Sequence, residues 1–275
     1  MGSTTSPPSY VGVAALGARV VFPEDHMPMV AVHPIRSPEQ VYEIRIPDRY
    51  LEHPAMAPYI AMHAAMRKRL GPNVKLGLGG GWQGPVTSAV LLRGHDFFAD
   101  LYLHPDAARA LLDIVTESII RFEREVRRFL NEDAKGGIAI HDDFAGLISP
   151  AMFPEFVIQY WRRIYEAFGE GPRPWHSELL RREHIPLLDG LGITHINFGE
   201  DQYIDVRDVV ETTKLPFSWN VRTVKHMLQG TPKTVREAYL EAVADGAPEM
   251  VTDLCARGIP PENIRAFVKV ARENE

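Results

Sequence analysis

Gly136-Gly137-Ile138-Ala139-Ile140-His141-Asp142-Asp143, residues 136–143, contains the clearest turn-to-strand boundary in the chain. The two glycines end any helix before them, Ile138–Ile140 is an apolar run of strand length, and three ionisable residues follow it. Upstream, Ala107–Leu130 carries Leu111, Leu112, Val115, Ile119, Phe122, Val126 and Phe129 at helical spacing. Downstream, Pro150 opens a second helical stretch through Phe168, with Phe153, Phe156, Val157, Tyr160, Trp161 and Ile164 on one stripe. The segment reads as helix, strand and helix, with reactive side chains at the carboxyl end of the strand.

The same alternation recurs outward. Val74–Gly79 is a strand-like run ending in Gly79-Gly80-Gly81. Arg173–Trp175 leads into a helical Arg181–Leu191, and Thr194–Phe198 into Ile204–Thr212. Pro216–Trp219 leads into Thr231–Val243, and Glu249–Leu254 into Pro261–Glu273. Strands alternating with helices mean βα units and a parallel sheet, here about six units beginning at Val74. A chain of 275 residues suits one (β/α) barrel domain, which takes about 250 residues. The expected organisation is an irregular segment over 1–73 with one helix, Pro54–Leu70, followed by barrel units over 74–275. Ser3–Ser9 reads as a disordered polar leader.

Composition narrows the function classes. The net charge is −6, and the basic runs Arg121–Arg128 and Arg162-Arg163 are interleaved with Glu123, Glu125 and Glu166. That pattern is a solvated helix surface and argues against nucleic acid. The single cysteine, Cys255, excludes an internal disulfide and fits a reducing, cytoplasmic setting. No apolar run approaches the roughly 18 residues of a membrane span, and no secretory signal is expected.

In parallel α/β folds chemistry gathers beyond the carboxyl ends of the strands. His141, Asp142 and Asp143 follow one strand, His176, Ser177 and Glu178 the next, and Gly199, Glu200 and Asp201 the one after. Asn220 and Arg222 follow a fourth, Cys255 lies at the end of the last, and Trp82 and Gln83 follow the glycine run. His176 and Glu178, two apart in extended backbone, point to one side. With Cys255 they make either a zinc set with an open position or a structural group bonded internally. His141, Asp142 and Asp143 are either a general acid–base group or a helix N-cap. Trp82 with Gln83, and Asn220, are the candidates to hold a flat cofactor, although packing accounts for the tryptophans equally well.

Three segments resemble the uroporphyrinogen decarboxylase and cobalamin-dependent methyltransferase superfamily. Gly84-Pro85-Val86-Thr87-Ser88-Ala89 is similar to its Gly-Pro-Phe-Thr-Leu-Ala element. Asp142-Asp143-Phe144-Ala145-Gly146 through Ser149-Pro150 and Phe153–Phe156 resembles its Asp-Asp…Ser-Pro…Phe-x-Glu-Phe segment, and Ile259-Pro260-Pro261-Glu262-Asn263-Ile264 its closing helix start. The resemblance runs from about Ala14 to Glu275 and implies a chain that begins past the family's first two barrel units. The family's decarboxylases use no metal and hold their substrate with an Arg-rich N-terminal motif that has no counterpart here. Its methyltransferases carry a His-x-Cys zinc motif and a late Cys, which align with His176 and Cys255, while Glu178 stands in place of the middle Cys. Glu200 is a possible fourth ligand or a partner of the ligands.

The resemblance therefore implies a zinc-dependent methyltransferase that works with a corrinoid, free or on a corrinoid protein, and with a small-molecule methyl donor or acceptor. An open barrel would also favour pairing with a second copy. The rivals are a porphyrinogen decarboxylase and a non-catalytic accessory subunit.

Overall fold

The chain opens with an element that its composition does not announce. β1 (Gly2–Thr5) runs parallel to a later strand, with Gly2 opposite Lys75 and Thr5 opposite Leu78. A ladder is made by main-chain groups, so a polar sequence does not prevent it. The expected disordered leader, Ser3–Ser9, is corrected for residues 3–5, and residues 6–9 lie outside the described ones. The computed structural model describes residues 2–5, 10–24, 28–78, 82–253 and 258–274. They fall into two compact units: Met1–Ile138 with Glu155–Gly171, and Ala139–Pro154 with Pro172–Glu275.

In the first unit, α1 (Val11–Ala15) is followed by the antiparallel pair β2 (Arg19–Val21) and β3 (Met29–Val32). A 3₁₀ turn at Pro54–Met56 leads into α2 (Ala57–Leu70), whose last turn carries Arg67, Lys68 and Arg69, the sign that suits the helix dipole. β4 (Lys75–Leu78) is the partner of β1. Three helices follow it where the periodicity marks one: α3 (Pro85–Arg93), α4 (Asp96–Leu103) and α5 (Pro105–Leu130). α3 is buried on nearly every side, from Pro85 through Val90 with Leu92 and Arg93, so it has no amphipathic stripe to read. α5 buries the expected stripe from Leu111 to Val126, leaves Phe129 exposed, and ends at Asn131 in left-handed conformation, φ 55°. Val11, Tyr50, Met56, Leu78, Phe122 and Val126 form a common core, each side chain of that size worth about 1.5–3 kcal/mol on burial.

β5 (Ile140–His141) belongs to the second unit, and α6 (Gln159–Phe168) returns to the first, where it packs on α5. The second unit continues with β6 (Pro174–His176), β7 (His195–Asn197), α7 (Val206–Thr212), β8 (Phe217–Asn220), α8 (Pro232–Ala244), β9 (Met250–Val251) and α9 (Pro261–Glu273). The helix expected over Arg181–Leu191 is a 3₁₀ segment, Arg182–Leu188, because Pro186 inside it lacks the N–H an α-helix needs. α7 and α8 start on side-chain caps, Asp205 accepting from Asp208 N and Thr231 from Thr234 N.

β5 to β9 form a five-stranded sheet in sequence order, every neighbouring pair parallel. The α/β class with a parallel sheet is as expected. Val221, Met227, Val235, Tyr239 and Val270 pack α8 and α9 together beyond β8. No helix among the described residues is long and apolar enough to cross a membrane.

Candidate functional site

Register builds the site. His141 of β5 pairs with His176 of β6, His176 with Asn197 of β7, and Asn197 with Ser218 of β8. Parallel strands in register therefore set four polar side chains side by side at the carboxyl end of the sheet. The ring centroids of His141 and His176 are 5.7 Å apart.

His176 is held at both nitrogens. Nδ1 lies 2.7 Å from Oδ1 of Asn197, and Nε2 lies 3.2 Å from Oδ1 of Asp143. Oδ1 of Asp143 is buried and has no hydrogen-bond partner among the described residues, so the contact with Nε2 is one of charge and proximity. Burial by itself depresses the His176 pKa, but the contact with Asp143, then Asn197 and Glu178, outweighs it and raises the net value. His141 is lowered, first by burial and then by the neighbouring His176. The two imidazoles thus differ in basicity although they sit side by side.

The carboxylates after β6 and β7 are tied to backbone. Oε1 of Glu178 accepts the N–H of Glu200 at 2.9 Å, and Oε1 of Glu200 accepts the N–H of Thr223. Burial, the largest influence, raises the Glu178 pKa. Asp201 is buried and accepts from Leu180 N at 2.8 Å and Tyr203 N at 2.9 Å, which makes it a staple between two loops. His184 plays a similar role, with Nδ1 accepting from Arg181 N and Nε2 on Ile148 O, both at 2.8 Å. Gly146 runs so close to the Glu178 and Leu179 backbone that a Cβ there would overlap it. The loop after β5 is thereby seated on the loop after β6.

The structure thus brings His141, Asp143 and His176 together, with Glu178 in the adjoining loop. Asp142 is fully buried, its N–H on His176 O and its carbonyl accepting from Ser177 Oγ. Asn220 is buried, its Oδ1 accepting from Asn197 Nδ2 at 3.0 Å. It also lines a cleft of 190 Å³ with Arg222 and His226. Trp82 and Gln83 belong to the first unit, where Trp82 packs on the core cluster and the Gln83 carbonyl accepts from Ser88 Oγ. Cys255 lies outside the described residues. Among the described residues no three His, Cys, Asp or Glu side chains converge as a metal set.

The site also contains two residues that the sequence did not mark out, Asn197 and Ser218. The expected chemistry lay in the loops beyond the strand ends, whereas these two sit within β7 and β8. The available signal was a polar residue two places on from His195, between Ile196 and Phe198.

Nε2 of His176 and Oδ1 of Asp143 face each other at 3.2 Å, an approach that a proton on the ring or a metal ion stabilises. Both are ordinary zinc donors. The residues therefore fit a cation at His176 and Asp143. Glu178 Oε1 and Glu200 Oε1 are already committed to backbone N–H groups.

Residues 9–274 match the family described as Uroporphyrinogen decarboxylase (URO-D). In structure the chain is similar to a methyltransferase from Methanosarcina mazei, with a TM-score of 0.76 at 20% identity, covering 96% of this chain and 78% of that one. No curated protein matches it in sequence.

Proposed function

The chain belongs to the uroporphyrinogen decarboxylase family, and from that premise we propose that it is a zinc-dependent methyltransferase working with a corrinoid. The reading takes the βα units as part of a (β/α) barrel of about six units. The observation that carries it is the approach of His176 Nε2 to Asp143 Oδ1, 3.2 Å apart, with the Asp143 oxygen buried. The solved structure that the chain is similar to is described as a methyltransferase.

In this reading His176 and Asp143 hold the ion, with Cys255 as the further ligand that the family resemblance implies. Bound zinc would supply Lewis acidity toward the oxygen of a methyl ether, or hold a thiol acceptor as thiolate. His141, whose pKa is lowered by desolvation and by the neighbouring His176, is placed to take a proton from an acceptor or return one to a leaving group. Glu178, whose burial favours the protonated form, serves as a second proton store, and Glu200 orients it through its N–H. The methyl carrier is a corrinoid, free or on a partner protein, and a small molecule is donor or acceptor. A second copy of the chain is a further candidate partner.

The test measures zinc content and methyl transfer to or from free cobalamin in wild type, His176→Ala, Asp143→Ala and Cys255→Ser. Stoichiometric zinc and transfer in the wild type, lost together in His176→Ala, is the expected result. Full transfer by zinc-free protein would overturn the proposal, as would robust conversion of uroporphyrinogen to coproporphyrinogen.

A further inference from the structure

The amide of Asn197 is bonded on every side. Its Oδ1 accepts the backbone N–H of Gly199 at 2.9 Å. A backbone N–H can only donate, so the atom facing it is the oxygen and the orientation of the amide is settled. Its Nδ2 donates to Ser218 Oγ at 2.8 Å and to Asn220 Oδ1 at 3.0 Å. Ser218 and Asn220 are two apart on β8 and so project to the same side. Both are buried, where turning the amide over would leave their oxygens unpaired. The same Oδ1 lies 2.7 Å from Nδ1 of His176, and an oxygen that can only accept requires Nδ1 to carry the hydrogen.

We propose that Asn197 is a positioning residue: its amide oxygen holds His176 as the Nδ1–H tautomer, so that Nε2 presents its lone pair toward Asp143. The device runs across three strands, with the ring on β6, the amide on β7, and the two acceptors that lock the amide on β8. A histidine that binds a metal typically donates its other ring N–H to a fixed acceptor. The tautomer assignment is independent of the proposed function, and only its consequence for zinc rests on that reading.

The experiment is nitrogen-15 spectroscopy of the histidine rings in metal-free protein, on the alkaline side of the His176 titration. The chain has 11 histidines, so His176 is assigned by difference with His176→Gln. Wild type is expected to show Nδ1 protonated and Nε2 bare, and the reverse assignment would overturn the proposal. Asn197→Leu removes the acceptor and is expected to move the ring toward Nε2–H, now donating to Asp143, whereas an unchanged tautomer would overturn it. Asn197→Asp keeps an acceptor and should retain Nδ1–H, and loss of that tautomer would count against the assignment. Should Asn197→Leu fail to fold, the wild-type and Asn197→Asp spectra decide. Zinc affinity by chelator competition should fall about 10–100-fold in Asn197→Leu and stay near wild type in Asn197→Asp. Equal affinity in all three would remove the consequence for the metal. Wild type that binds no zinc would overturn the proposed function and leave the tautomer to the spectra.

Discussion

Glu178 and Gly199 share one niche: Oε1 of Glu178 accepts the Glu200 N–H at 2.9 Å, and a Cβ on Gly199 would overlap that oxygen. Gly199 also has φ +59°, a backbone region that suits glycine. Gly199→Ala is therefore expected to displace Glu178 and to cost about 1–3 kcal/mol in stability. Urea unfolding measures the cost, and an unchanged midpoint would show that the niche is not tight.

Two buried tyrosines in the first unit set an alkaline limit. Tyr50 and Tyr160, each pushed up to about 12, owe the shift first to burial. A folded pKa above the unfolded value of 10.0 means stability fully present below pH 10 and lost as pH rises toward about 12. At 1.36 kcal/mol per unit, each contributes on the order of 2–3 kcal/mol. Unfolding free energy followed across that window should fall steeply in wild type and less steeply in Tyr50→Phe. A wild type indifferent to pH there would contradict the assignment.

Arg93 and Asp100 form a buried ion pair in the first unit, Nε to Oδ2 at 2.7 Å with both side chains 7% exposed. Removing Asp100 leaves the buried guanidinium with Asp96, at 3.0 Å and largely exposed, and with the Arg36 carbonyl, so Asp100→Ala is expected to cost at most about 3–5 kcal/mol. Replacing both by apolar residues of similar volume should cost less than the single change. A double variant weaker than Asp100→Ala, by thermal or urea unfolding, would argue that the pair is worth more than its desolvation.

The metal reading has its own stability consequence. If His176 and Asp143 hold zinc, binding to the folded state alone stabilises it in proportion to the logarithm of free zinc over Kd. Chelation should lower the unfolding temperature of wild type and leave Asp143→Ala and His176→Ala unaffected. A chelator-insensitive wild type, or one whose sensitivity survives in Asp143→Ala, removes Asp143 from the ligand set.

Much of the fold was legible because periodicity and punctuation are local. The stripe of α5 from Leu111 to Val126, the Thr231 start of α8, the Pro261 start of α9, and the strand runs before His141, His176 and Asn220 could all be read directly. What escaped lacked a local signal. α3 is apolar nearly all round and so shows no period. β1 is a strand only because β4 offers it an edge. The Arg182–Leu188 segment has helical spacing, yet Pro186 holds it to a 3₁₀ path.

The sequence by itself determined the family, the parallel α/β class and the kinds of residue found beyond each strand, because these depend on order and spacing along the chain. Only the tertiary structure decided which of those residues meet. Register placed Asn197 beside His176, the turn after β5 set Asp143 against its far nitrogen, and one oxygen each of Glu178 and Glu200 accepts a backbone N–H. A strand's register comes from pairing across about 20 residues of intervening chain, and a carboxylate's partner depends on which donor the neighbouring loop presents. Neither is written in the spacing of the residues themselves.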